Sequence, residues 1–162
     1  MKKTLILGYG NPDRQDDGVA WHVLESVAQQ LGKPVPNTFE EEFEPGDATP
    51  DFLFVMQLVP ELAETLASYE RVCFVDAHTG NVPEDVHLTR VTAEFQHSPF
   101  THHMTVATCL ILAQTIYHQS PEAILISVRG FQFGFARSLS QESEALANQA
   151  TQIILDWLQD KN

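Results

Sequence analysis

The sequence predicts a three-layer α/β/α sandwich around a mainly parallel five-stranded sheet. Short apolar runs alternate with longer segments of helical periodicity along the 162 residues, the pattern of an α/β domain. Four of the runs, near 3–8, 52–56, 71–76 and 123–128, are almost continuously apolar, as expected for strands covered on both faces. A fifth, 86–91, alternates Val86, Leu88 and Arg90 with His87, Thr89 and Val91, and reads as an edge or antiparallel strand.

The elements follow in order. The first strand leads into Gly8-Tyr9-Gly10-Asn11, then Pro12-Asp13-Arg14-Gln15, then Asp16-Asp17-Gly18. A helix over 17–31 comes next, with Ala20, Leu24, Val27 and Leu31 on one face. Residues 33–51, rich in Pro and carrying Glu40-Glu41-Glu42 and Glu44, read as a solvated loop. The second strand precedes a helix over 60–69, where Pro60 suits a first helical position. The third strand closes on Asp76, followed by Ala77-His78-Thr79-Gly80. A very apolar helix spans 103–118, and a last helix spans 140–159. Ser140 suits the N-cap of that last helix, and Leu146, Ala150, Ile153 and Trp157 form its core stripe. No internal repeat interrupts this series, which reads as one domain over 1–162.

Composition excludes several classes. Lys2 and Lys3 precede apolar residues, but the run ends at Gly8, too short for a signal-peptide core. No stretch approaches the roughly eighteen apolar residues that span a bilayer. The expectation is a cytoplasmic protein without a membrane partner. A formal charge of −13 argues against nucleic acid or acidic lipid. Cys73 and Cys109 lack metal-ligand spacing and read as small buried hydrophobes.

The chemistry gathers at the carboxyl ends of the strands, where open α/β sheets bind ligands. The first strand-to-helix turn ends in Asp16 and Asp17, which would repel a phosphate and attract a cation. Asp16 also suits a helix cap, and the doublet points to Asp17 as the site residue. Asp76 is costly to bury unpartnered at the end of an apolar strand, though an aspartate there also suits a turn. His102 and His103 open the apolar helix, and adjacent residues on a helix point about 100° apart, so one of them joins a given site. Two carboxylates and an imidazole form a mixed oxygen and nitrogen set for a borderline divalent metal, with positions left open. No Gly-x-Gly-x-x-Gly or Gly-Lys-Ser/Thr loop is present, which counts against a nucleotide-binding protein.

Gly8-Tyr9-Gly10-Asn11 with Asp16-Asp17-Gly18, then Val75-Asp76-Ala77, then His102, resembles the hydrogenase maturation endopeptidases over nearly the whole chain. Those are nickel-dependent proteases that trim the C-terminal extension of a [NiFe]-hydrogenase large subunit. The resemblance implies a five-stranded α/β/α fold and a large-subunit precursor as partner. It also implies nickel delivered with that substrate and contacted by Asp17, Asp76 and His102, which would carry catalysis as well. Substrate contacts are expected at Gly10, Asn11, Asp16, Gln57 and Glu61. Arg129-Gly130 and Leu139-Ser140 sit where the family has its last strand's glycine and the start of its C-terminal helix. Three features depart from the family pattern, one being that the loop 129–137 lacks the family's frequent proline. Ala20 replaces a usual glycine, and the family's Asp-Gly-Gly-Thr segment gives way to Gln57-Leu58-Val59-Pro60-Glu61-Leu62, similar to the branch serving bidirectional, NAD-linked hydrogenases. Phe131, Phe133 and Phe135 follow the last strand, as loop packing or as a peptide-binding surface. The rival reading is a non-catalytic metal- or peptide-binding module on the same fold, which a cleavage assay separates from a protease.

Overall fold

The computed structural model describes residues 2–94 and 104–160. Five strands form one sheet in the order β2-β1-β3-β5-β4: β1 (Thr4–Tyr9), β2 (Asp51–Val55), β3 (Arg71–His78), β4 (Val86–Val91) and β5 (Glu122–Arg129). The pairs β1–β2, β1–β3 and β3–β5 are parallel, while β4 runs antiparallel along the edge beside β5, as its alternating sequence predicts. The helices are α1 (Val19–Gln30), α2 (Leu62–Leu66), α3 (Val106–Tyr117) and α4 (Gln141–Gln159). No helix among the described residues is long and apolar enough to cross a membrane.

The period of two in each strand divides the core. Ile6, Cys73, Val75, Ile126 and Val128 face α1 and α4, while Leu5, Leu7, Val72 and Phe74 face α2 and α3. The sheet therefore lies between two helical layers, the expected sandwich. Both cysteines are buried free thiols. Burial pushes Cys109 up to about 11 and Cys73 higher still, so neither is a nucleophile near neutral pH.

The structure revises several local expectations. The first helix begins as a single 3-10 turn, Gln15–Gly18, and Leu31 lies exposed beyond its end. The second helix is only five residues long, so Pro60 and Glu61 lie in the turn before it. On α4 the buried stripe is Ser143, Ala147, Ala150, Thr151, Ile154 and Leu158; Leu146, Ile153 and Trp157 are half-buried at its flank. Residues 33–51 are not a wholly solvated loop. Phe43 stacks on Phe52 at 5.2 Å and meets Trp21 at 5.4 Å, so the segment covers β2 and α1.

The ends of α4 are fastened by side chains. Ser140 is its N-cap, as its sequence position predicts, and accepts from the Ser143 amide at 3.2 Å. At the other end Arg71, buried at the start of β3, donates from Nη2 to the Trp157 carbonyl at 2.8 Å and lies 3.9 Å from the Trp157 ring centre. A cation among the terminal carbonyls satisfies orphan acceptors and opposes the negative end of the helix dipole. Arg71→Met keeps most of the apolar stem and removes the head. It is expected to lower unfolding free energy by about 2 kcal/mol. In urea the midpoint falls while the slope stays unchanged.

Candidate functional site

The connection from β1 returns to β2 on one side, and the connection from β2 crosses to β3 on the other. The strand order thus reverses between β1 and β3, which leaves a crevice outside their carboxyl ends. Asp76 stands at the β3 side of this crevice, and the turn after β1 brings Asp17 to the other.

The β1 turn is shaped by its own backbone. Gly10 has φ +143°, and a Cβ there would overlap the Asp17 carbonyl, so a residue without a side chain lets the two strands of the turn close. Its amide reaches the Val55 carbonyl of β2 at 3.2 Å. The Asn11 amide donates to Asp17 Oδ2 at 2.9 Å, and the Asn11 side chain accepts from the Asp13 amide at 3.0 Å. Gly10 and Asn11 therefore set the position of Asp17.

Asp16 and Asp17 separate sharply. Asp16 has no exposed surface, and its carboxylate accepts four hydrogen bonds. The donors are the amides of Phe131 (2.8 Å), Gln132 (2.9 Å) and Ser140 (2.8 Å), and the Ser140 hydroxyl (2.6 Å). Burial alone would raise its pKa. The Ser140 hydroxyl and the three amides outweigh that and hold the carboxyl below its ordinary value. This corrects the expectation of a substrate contact at Asp16: its acceptors are spent inside the fold. Nor does it cap α1, whose N-cap is Gly18 without a side-chain bond. Asp17, half-exposed, is the member of the doublet whose charge reaches Asp76.

Asp76 is partnered differently. Its Oδ1 accepts from Ser127 Oγ on β5 at 2.7 Å, and its Oδ2 accepts from the Tyr9 hydroxyl at 2.9 Å. Register explains both contacts. Asp76 lies opposite Ser127, and Tyr9 closes the neighbouring strand. Burial pushes the Asp76 pKa up, the Ser127 and Tyr9 bonds and nearby His78 oppose the rise, and the charge of Asp17 adds to it. The charge of Asp17 thus reaches Asp76 across the crevice. The Tyr9 phenol is pushed far above its ordinary value, first by burial and then by Asp76, and remains a donor at any working pH.

Neither Tyr9 nor Ser127 is singled out by the sequence. A serine between Ile126 and Val128 in a buried strand is a signal, but only the register shows what it serves. His78 is adjacent yet engaged: Nδ1 accepts from the Gly80 amide at 3.0 Å, which leaves Nε2 to donate to the Asp85 carbonyl at 3.1 Å. His102, expected as the third metal contact, lies outside the described residues, as does His103. The described chain resumes at Met104, and Cys109 of α3 is close enough to Tyr9 to contribute to the rise in its pKa. Among the described residues no group of three or more His, Cys, Asp or Glu side chains is placed to hold a metal ion. Gln57 and Glu61 are exposed beyond the end of β2, and no hydrogen bond joins them to Asp17 or Asp76 among the described residues.

The loop after β5 is fastened to the β1 turn along its length. The Gln15 amide donates to the Ala136 carbonyl at 2.8 Å and the Ala136 amide to the Asp13 carbonyl at 3.1 Å. Arg14 donates to the Phe133 carbonyl through Nε and Nη2. The three phenylalanines differ in burial, with Phe131 exposed beside Arg129. Phe133 is half-buried against Gly130, whereas Phe135 is 91% exposed.

No family model and no curated protein matches the chain. Solved structures do match it. Hydrogenase maturating endopeptidase HybD from E. coli is similar with a TM-score of 0.67 and 18% identity, over 96% of this chain and 91% of that one. The [NiFe] hydrogenase maturation protease HybD from Thermococcus kodakarensis gives 0.65 and 17%, over 96% and 98% of the two chains. The maturation protease HycI from Thermococcus kodakarensis KOD1 gives 0.63 and 21%, over 98% and 94%. At these identities the likeness establishes a shared fold over nearly full length.

The two kinds of partner give opposite expectations for charge removal. Asp16→Asn puts an NH2 group among backbone amides that can only donate, and is expected to cost about 2–4 kcal/mol. Because its folded pKa is lowered, the stability Asp16 contributes is present above the unfolded value near 3.8 and is lost as pH falls through the folded value. Asp76 has the reverse sign. Its raised folded pKa means that ionisation costs stability as pH rises through that value. Its partners are hydroxyls, which rotate to accept. Asp76→Asn should therefore be at least as stable as the parent at pH 7, with the difference shrinking in acid. Thermal unfolding of both variants between pH 3 and 7, a range of about four decades in proton activity, reads both signs.

Proposed function

We propose that the chain is an endopeptidase that removes the C-terminal extension of a nickel-loaded [NiFe]-hydrogenase large-subunit precursor. Asp17, Asp76 and His102 contact the nickel that the precursor carries. The observation that supports this best is the pair Asp17 and Asp76 at the β1/β3 crevice, in a fold shared with solved hydrogenase maturation proteases. A free divalent ion would meet few donors here. Two carboxylates and one imidazole are hard and borderline ligands, and the soft thiolates that grip nickel come from the precursor's cysteines. The nickel is therefore part of the substrate, and the same residues that recognise it position the bond to be cut. In this reading the segment 57–62 supports a place in the branch serving bidirectional, NAD-linked enzymes, with Gln57 and Glu61 as outer substrate contacts.

In this reading the chemical step is hydrolysis of one peptide bond. Water adds to the scissile carbonyl carbon, the C–N bond breaks, and the proton released by water passes to the leaving amine through a carboxylate of the pair. The cation polarises the carbonyl when loaded precursor is bound. Tyr9 and Ser127 donate to both oxygens of Asp76 and fix its orientation. Asn11 fixes Asp17 through one oxygen.

The test is a gel-shift assay on precursor prepared with and without nickel, using nickel-free enzyme. Loaded precursor should be shortened and metal-free precursor left intact. Asp17→Asn, Asp76→Asn and His102→Ala should each lower the rate at least about a hundredfold, the scale expected for a group acting at the reacting bond, with circular dichroism unchanged. His103→Ala should be much milder. Equal cleavage of both precursor forms would remove nickel recognition from the mechanism, and binding without cleavage would favour a non-catalytic module.

A further inference from the structure

Arg129 ends β5 two residues after Ser127, and in a strand residues two apart share a face. Its side chain therefore leaves the sheet on the side where Ser127 holds Asp76, about 7 Å further along the strand. Its guanidinium is held in place. Gly80, at φ +96°, lies flat against it: a Cβ there would stand 3.2 Å from Nη2 and 3.3 Å from both Cζ and Nε. The Phe131 ring centre is 4.8 Å from Cζ, and Nη1 reaches Asp85 Oδ1 at 3.3 Å. A side chain other than glycine at position 80 would displace the head, so the loop is shaped around it.

The donors of this head are under-used. Nε is buried without a hydrogen-bond partner, and the Asp85 contact is the hydrogen bond its guanidinium makes among the described residues. The side chain remains 40% exposed. The buried Nε is out of a ligand's reach, but the remaining donors of the head form a fixed planar fork that matches a carboxylate. The chain as a whole carries −13, which disfavours a polyanion as partner, and the crevice residues Asp17 and Asp76 are themselves acidic. A single carboxylate on an otherwise uncharged stretch of polypeptide fits both facts.

We propose that Arg129 is a specificity-determining residue that binds a carboxylate of the protein substrate, two or three residues from the bond held at Asp17 and Asp76. This rests on the processing role proposed above. An extended peptide advances about 3.3 Å per residue, so a chain leaving the β1/β3 crevice across β5 brings a residue of that spacing to the guanidinium. The carboxylate belongs either to an acidic side chain of the extension or to its C-terminus.

The experiment measures kcat and KM for parent, Arg129→Gln and Arg129→Lys on nickel-loaded precursor. Three extensions are compared: native, one with its Asp and Glu changed to the amides, and one with an amidated C-terminus. On the native extension Arg129→Gln should raise KM about tenfold or more with kcat within about twofold, and Arg129→Lys should fall between, since it keeps charge without the fork. On the extension lacking the recognised carboxylate, the parent KM should rise to that of Arg129→Gln, and the substitution should then have no further effect. The arm in which this occurs identifies the source. An unchanged KM, a rise of the same factor on all three extensions, or a loss in kcat alone would overturn the proposal. Calorimetric titration of the same proteins with the isolated extension peptide separates the two claims. Arg129-dependent binding without any cleavage would overturn the processing role alone, whereas binding indifferent to Arg129, or none, would overturn the carboxylate site.

Discussion

Asp16 lies with no exposed surface among donors that come from residues 115 to 124 positions away in the chain. An ionised carboxyl in such a place is stable only while each oxygen is fully hydrogen-bonded, so the β1 turn, the loop after β5 and the start of α4 are held in one geometry or the carboxylate is left unpaired. Much of the crevice depends on that requirement. Ser140 caps α4 and donates to Asp16 with the same hydroxyl, and Phe131 and Gln132 meet Asp16 through their amides. Asp17, the next residue, is aimed by the turn that Asp16 anchors. The doublet is therefore one structural device: a carboxylate turned inward holds the loop from which its neighbour is turned outward.

The chemistry of the partners distinguishes the aspartates better than burial does. Backbone amides can only donate, so three of the four bonds to Asp16 demand an anion there at all times. Hydroxyls can donate or accept, so Tyr9 and Ser127 tolerate Asp76 ionised or protonated. A group meant to change partners during a reaction needs tolerant neighbours, whereas a group meant to hold the fold needs fixed ones. Both residues are aspartates, and nothing in residue type alone separates them.

The sequence carries the layering well because burial on both faces leaves a continuous apolar signature in β1, β3 and β5, while edge exposure leaves alternation in β4. It places Asp76 at the carboxyl edge because it directly follows such a run, and Asp17 because it lies in the turn that leaves the first one. What it does not carry is anything that depends on partners far along the chain. The role of Asp16 rests on residues 131–140, and the roles of Tyr9 and Ser127 rest on the register between β1, β3 and β5. The stripe of α4 is displaced by one residue because Leu146, Ile153 and Trp157 are large enough to pack from the flank while Ala147 and Ala150 make the close approach. The loop 33–51 looks solvated from its glutamates, yet its aromatic residues, spaced among the charges, cover β2.

Among the described residues, the crevice brings the charge of one carboxylate to bear on another. Asp17 raises the pKa of Asp76, so its charge makes the ionisation of Asp76 more costly. A proton on Asp76 relieves that repulsion, and so does a cation between the two groups. The two remedies compete for the same oxygens. A site of this kind favours a cation over a proton only when the cation arrives with further ligands of its own, since two carboxylates also have to give up hydroxyl donors and water to bind it. Asp76 is buried enough to resist standing charged beside Asp17, and under the proposed function a cation carried by the substrate would offset that cost.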